Sequence, residues 1–411
     1  MLAACVAAVL GADVAAEETG AIRERLQSAA QAGLGGPQSA PGQIEEDRLR
    51  RKEVSRLPGL DEALNPIEDA KEALKEATGL DLAFDYQALY QFGTDSLTGT
   101  DDGALAQARM LANWEIFDFD GSSPGSFVFT LENRHRLGTR IDPGSVAGEI
   151  GYAGSTAVTF GVPGTHLSVA YWSQALFDRR AGFVVGRIDP GDYTDILGYV
   201  NPRTTFSNFS ILFSPTTPIP DPGFGIGAGG FLTDQIYGLG VVSDANGSLS
   251  NVEWFPEGPE LYKYAEIGWT PAREQRFLTN VHIGAFHVDE REASGVEETY
   301  GVLLSANHTI AESLMLFGRA GWSEGSAAAA RLSGTAGLIW RPGFYDDLIG
   351  FAVNAADPSS RSLDVQTTAE AFYRFDLSDN IALTADVQYL INPGFNPNDP
   401  VVLGLRARLS L

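Results

Sequence analysis

Arginines, carboxylates and amides recur at alternate positions of otherwise apolar segments along most of this chain. Arg109, Glu115, Glu132, Arg134, Arg136, Glu266, Arg319, Glu370, Arg374, Asp386, Gln388, Arg406 and Arg408 fall on the polar parity of their segments, and Trp172, Tyr262 and Tyr264 share it. Interleaved guanidinium and carboxylate groups offer donors and acceptors in pairs, and aromatic rings can lie against the C–H face of a sugar. Such a set suits a neutral polyol, whereas a ring of one sign would favour ions. The expectation is a polar lumen that binds a permeating solute weakly. For any single residue the plainer reading is a wall of mixed charge with no contact to solute.

Covalent chemistry is poorly provided for. Gly121-Ser122-Ser123-Pro124-Gly125 has the spacing of a nucleophile elbow, but Pro124 leads into another strand rather than a helix. Gly225, Gly227 and Gly230 have dinucleotide-loop spacing with no helix to follow. The five histidines, at 135, 166, 282, 287 and 308, show no metal-ligand spacing. No cofactor or metal is expected. An enzyme would need Ser, His and an acid converging across strands, and that alternative stays open.

Elements that can present polar groups at every second residue are β-strands. Leu80, Leu82, Phe84, Tyr86, Ala88, Tyr90 and Phe92 alternate with Asp81, Ala83, Asp85, Gln87, Leu89 and Gln91. The same period runs through Phe127–Arg134, Leu167–Gln174 and Ile381–Tyr389, and comparable segments begin near 105, 182, 205, 224, 236, 261, 279, 299, 313, 331, 347 and 364. Each spans about ten residues between Gly, Pro, Asn or Asp clusters, the length of a tilted strand crossing a bilayer. The segments number 16 to 18, and bacterial single-chain barrels take even numbers, so 16 is expected. The last strand alternates up to Leu411: Leu405, Leu409 and Leu411 should touch lipid, and Arg406 and Arg408 the pore. Trp114, Trp269, Trp322, Trp340, Tyr373 and Tyr389 lie near strand ends, where headgroup girdles would be. A soluble sandwich or propeller would bury an apolar face equally well, but would not account for the girdles, the export signal and the regular last strand together.

With 411 residues, 46 Gly, 10% aromatics and a mean hydropathy near zero, the composition suits one large all-β transmembrane antiparallel barrel. A formal charge of −25 argues against nucleic acid as a partner. Residues 1–16 read as a signal peptide, with an apolar stretch from Leu2 to Leu10 and Val14-Ala15-Ala16 as the cleavage site, although a positive n-region is missing. Cys5 sits too near Met1 for a lipoprotein box to have a signal before it, and it is the only cysteine. Residues 17–78 read as a helical and linker extension on the periplasmic side. Helices are expected over Ala21–Ala32 and over Pro66–Thr78, the latter capped by Asn65 and stopped by Gly79, with Gly33 to Gly42 as a linker. The extension is read as partly disordered, or as a segment contacting cell wall, a partner subunit or the barrel mouth. Residues 79–411 form the barrel. Ser214–Gly223 and Asp289–Glu298 are expected as external loops, and one loop is expected to fold inward, without a sign of which.

Three segments carry a resemblance. Gly186-Arg187-Ile188-Asp189-Pro190-Gly191-Asp192-Tyr193-Thr194-Asp195, then Tyr264-Ala265-Glu266-Ile267-Gly268-Trp269, and finally Glu370 and Tyr373 with Asp386-Val387-Gln388-Tyr389 and Asn392-Pro393-Gly394 resemble motifs of the carbohydrate-selective, glucose-type porins of Gram-negative outer membranes. The similarity covers roughly residues 80–411. It implies a 16-stranded barrel in the outer membrane, lipid around it, and passive uptake of sugars as permeating solutes. Ending on Leu411 rather than an aromatic is a departure from the family pattern. A general or anion-permeable porin is the second reading and a barrel enzyme the third.

Overall fold

Period-two segments need partners for every backbone N–H and C=O, and in lipid the only arrangement that leaves no open edge is a closed barrel. The computed structural model, which describes residues 34–50, 55–118, 122–311, 313–343 and 345–411, has that form. Among the described residues sixteen antiparallel strands close into one barrel. They are β1 (Leu80–Gly93), β2 (Asp102–Asp118), β3 (Pro124–Arg136), β4 (Gly164–Leu176), β5 (Ala181–Ile188), β6 (Gly223–Phe231), β7 (Ile236–Asp244) and β8 (Leu261–Trp269), followed by β9 (Thr279–Val288), β10 (Thr299–Ile310), β11 (Leu314–Glu324), β12 (Ala330–Trp340), β13 (Leu348–Pro358), β14 (Gln366–Asp376), β15 (Ile381–Ile391) and β16 (Val401–Ser410). Closure is the pairing of β1 with β16, in register from Asp85 opposite Ser410 to Gly93 opposite Val402.

The strand parities divide the wall as alternation requires. On β16, Leu403 and Leu405 face outward at 50% and 55% exposure, while Arg406 and Arg408 are buried inside. Trp114, Trp269, Trp340 and Tyr373 ring one end of the outer face, and Trp322, Tyr389, Tyr300 and Tyr90 the other. The expected girdles are therefore present.

Four helices accompany the strands among the described residues: α1 (Ala40–Arg50), α2 (Pro58–Thr78), α3 (Pro143–Glu149) and α4 (Phe209–Leu212). The helix expected over Pro66–Thr78 starts earlier, because Pro58 supplies the first-turn residue and Pro66 is carried inside; Asn65 lies within the helix and does not cap it. Gly79 ends it, at φ 73° with its N–H donated to Lys75 O. The signal peptide and the helix expected over Ala21–Ala32 lie outside the described residues.

The segment expected near 205 is no strand. It belongs to the β5–β6 connection, residues 189–222, which folds into the barrel. Pro190 cannot continue a ladder, and the Asp189 side chain accepts the Gly191 N–H (2.9 Å) to start a turn there. The loop then buries Leu197, Val200, Phe206, Ile211 and Leu212 against inward-facing Phe317, Ile339, Leu348 and Phe372 of the wall. Phe206 meets Phe372 edge-on at 4.9 Å. Four large apolar residues facing an empty pore would be costly, and the loop covers them at roughly 1.5–3 kcal/mol for each buried side chain. Ser214, Thr216 and Thr217 are buried in the same loop, so the stretch from Ser214 does not hang outside as expected.

Residues 34–50 are likewise inside. Ala40 and Ile44 of α1 pack on Ala83, Leu111, Val128 and Val169 of the inner wall. The expected linker over Gly33–Gly42 thus gives way, among its described residues, to a short turn and the start of a helix in the lumen. By contrast α2 buries none of its residues and lies against the start of β1 at the short-turn rim, where Lys75 meets Asp81 at 2.6 Å.

Candidate functional site: a divided lumen

The residues expected to line the pore separate into three groups. The first group is a chamber of about 500 Å³ on the long-loop side. Arg109 of β2 and Glu132 and Arg134 of β3 form its wall, with Glu132 and Arg134 paired at 2.7 Å. Arg109 lies 3.5 Å from Asp85 of β1 and donates to the Gln43 side chain of α1. The inward loop supplies the opposite side: Arg203, Asp189, Asp192 and Asp221, and the rings of Phe209 and Phe213 stacked obliquely at 5.6 Å. Three arginines and five carboxylates, Asp142 included, line this chamber. Burial pushes the Asp189 carboxyl up to about 6, with Asp221 adding to it, and burial beside Asp189 raises Asp192 as well. Burial and the neighbouring Arg109 bring Arg203 down to about 9.

The second group does not face the chamber at all; it holds the loop. Glu370 accepts the N–H groups of Ser207 (2.6 Å) and Asn208 (3.1 Å). Gln388 accepts from the Asn208 amide at 2.9 Å and donates to Asp386 at 3.1 Å. Arg406 donates to Pro202 O (2.7 Å) and Thr205 O (2.5 Å). Arg319 donates to the carbonyls of Asp195, Ile211 and Leu212 and pairs with the Asp195 carboxylate. Tyr262 reaches Thr194 at 3.1 Å, and Tyr264 takes the Asp195 N–H while donating to Glu266 at 2.5 Å. Asp195 also meets His282 at 2.8 Å and is held below the usual carboxylate range by Arg319 and His282, which outweigh its burial. Arg374 pairs with Asp376 at 3.2 Å in the wall. Arg408 is shared by Asp85 (2.6 Å) and Asp47 of α1. Inward placement was expected for all of these, but they are buried under loop and helix rather than open to solute.

The third group lies elsewhere. Arg136 is exposed at the rim and donates to Arg140 O at 2.6 Å. Trp172 is on the outer face, opposite Phe127 of β3 and 5.2 Å from Phe117. Its expected inward direction fails because the β3–β4 register shifts between Thr130 and Leu131, where Ser168 is the extra residue; the strand's parity inverts from there.

A second chamber, about 410 Å³, lies toward the short turns and shares no lining residue with the first. It is lined by Arg48, Lys75, Arg179, Arg180 and Arg276 against Glu45, Asp81 and Glu115, the reverse charge balance. Sequence parity could not find Arg203, Phe209 or Phe213, since they sit on a loop. The spacing of Phe209 and Phe213, four apart after the capping Asn208, was the signal for a helical turn there. No group of His, Cys, Asp and Glu among the described residues could hold a metal ion.

Comparison with known proteins follows this geometry. The sequence model described as carbohydrate-selective porin, OprB family, matches residues 121–411. No curated protein matches the chain. The high-pH structure of Pseudomonas putida OprB superposes with a TM-score of 0.64 at 13% identity, over 83% of this chain and 96% of that one. Its low-pH structure gives 0.51 at 13% identity, over 83% and 95%. A mutant of the Rh. blastica porin also gives 0.51, at 11% identity, over 81% and 100%. At such identities these likenesses speak for the barrel fold alone.

Proposed function

The chain belongs to the carbohydrate-selective porin family, OprB, and passes carbohydrate by passive diffusion through an outer-membrane barrel; from that premise we propose that the solute is held in the long-loop chamber, between the Arg134–Glu132 pair and the rings of Phe209 and Phe213. The observation that carries this reading is the coincidence, in one cavity, of mixed-sign charge on the wall and an aromatic pair on the loop. Hydroxyls exchange water for paired donors and acceptors, and the rings cover a C–H face. Binding is weak enough for release, as conduction requires. No covalent step is involved.

The balance of five carboxylates against three arginines speaks against the anion-permeable alternative. The rim of short turns with α2 faces the periplasm, since barrels of this type have short periplasmic turns and longer external loops. Planar-bilayer recording tests the solute reading. Added monosaccharide should lower the conductance of the native protein, and Phe209→Ala with Phe213→Ala should weaken that block about tenfold, in line with about 1.4 kcal/mol of lost contact. Block by organic anions but not by sugars would overturn it.

A further inference from the structure

Sugar diffusion through a barrel does not call for residues 34–50, yet they occupy the lumen between its two chambers. Gln38, Ala40 and Gln43 form part of the long-loop chamber, and Pro41, Ile44, Glu45 and Arg48 part of the other. The two sets are the two faces of one segment. We propose that residues 34–50 are a resident plug that sets the size limit of the channel, latched by Asp47 on Arg408.

The seating is specific. Gly36 N–H donates to Asp192 O at 3.0 Å and the Gln38 amide to Gly191 O at 2.5 Å, tying the segment to the first turn of the inward loop. Its other end is held by charge. Asp47 receives both terminal nitrogens of Arg408, at 2.9 and 2.7 Å, and the two side chains are 5% and 6% exposed. The remaining edge of Arg408 is taken by Asp85, at 2.6 Å from Nε. A planar guanidinium holding one carboxylate on each edge has its donors placed for both, and the second carboxylate comes from the plug. The segment's apolar contact is limited to Leu34, Ala40, Ile44 and Leu49, and it has none of the buried aromatics of the inward loop. The Asp47 end of the segment is thus held by charge, whereas the loop is held along its length by buried side chains. A sugar in the long-loop chamber therefore meets the plug as its floor, and what passes is decided by the space around α1.

The proposal rests on the sugar-channel reading, and the test separates the two. In a Cys5→Ser background, single cysteines are placed by Gln38→Cys or Glu45→Cys, both half-buried on opposite faces of the segment, and a charged thiol reagent is added to one side of a planar bilayer. Position 38 should react from the long-loop side only and position 45 from the opposite side only. Reaction at either position from both sides alike, or from neither, overturns the plug. Adding Asp47→Ala should abolish the sidedness, raise ionic conductance and shift the size limit toward longer oligosaccharides, with Asp47→Asn moving the same way. Glu62→Ala on exposed α2 should change none of these. If Asp47→Ala keeps both the sidedness and the size limit, the latch is wrong. Sidedness is read from ionic current, so a failure of sugars to enter the native channel would sink the solute reading without touching this one.

Discussion

Glu370 shows what a single buried carboxylate contributes here. It is fully buried and its two oxygens accept two successive backbone N–H groups, from Ser207 and Asn208. Those donors belong to a loop that crosses the lumen, so the carboxylate acts as a mooring for the constriction. Alanine there leaves two amides without an acceptor, at about 1–3 kcal/mol each. Glu370→Ala is therefore expected to keep the barrel, seen as retained heat-modifiable mobility on gels, but to add frequent conductance fluctuations as the loop comes loose. Quiet, native-like current would contradict the mooring role. Residue parity put Glu370 inside correctly, as it did Arg319, Asp386, Gln388 and Arg406. Parity says only that a side chain points inward. It carries nothing about a carbonyl or amide arriving from a distant part of the chain, which is why these residues looked like solute ligands.

The inward loop is an element whose charge can be changed without a mutation. Burial raises Asp189 to about 6, and raises Asp192 and Asp221 as well. For an acid raised above its unfolded value, near 3.9, the folded loop binds more protons than the unfolded chain across that window. Stability of the loop therefore increases as pH falls through about 6 toward about 4, the opposite of a salt-bridged aspartate such as Asp195, whose lowered value makes its contribution disappear only in stronger acid. The same protonation removes negative charge from the long-loop chamber. The permeability ratio of potassium to chloride should fall between about pH 7 and about pH 5; a ratio that stays flat or rises would show that these carboxylates do not face the ion path. Much of this element was hidden in the sequence. Its apolar stretch around Phe206–Phe213 has the length and composition of a strand, because a loop packed inside a barrel buries side chains as a strand does. The same ambiguity concealed α1: Ala40 and Ile44 bury against inward Val128 and Leu111, apolar residues on the parity expected to be wet. The strands themselves were legible because each needs only its own alternation, and the inverted stretch of β4, with Trp172 outward and Val169 and Tyr171 inward, follows an extra residue that alternation cannot register.

At the scale of the whole molecule, stability depends on a ring that must close with every strand in one register. The β1–β16 seam carries that requirement from Asp85–Ser410 to Gly93–Val402, and its two faces are chemically incompatible. Leu405 stands opposite Tyr90 and Ala385 on the outer face, at the middle of β16, and is 55% exposed; its neighbour Arg406 is 2% exposed and bonded to loop carbonyls. A slip of one residue would put Arg406 and Arg408 into lipid together and take their partners, the loop and Asp47, from both. Placing one charge on the wrong face separates this cost from the loss of partners. Leu405→Arg keeps the lumen network whole and costs only the transfer of a guanidinium to mid-bilayer, about 2–4 kcal/mol. Denaturant titration in vesicles should show that loss of stability. The same substitution at outward Leu403, nearer the rim, should cost about 0–1 kcal/mol, because the penalty falls off with depth. Equal losses at the two positions would mean that the outward face of β16 is not graded by lipid depth, and the seam would then have to be covered by something other than membrane.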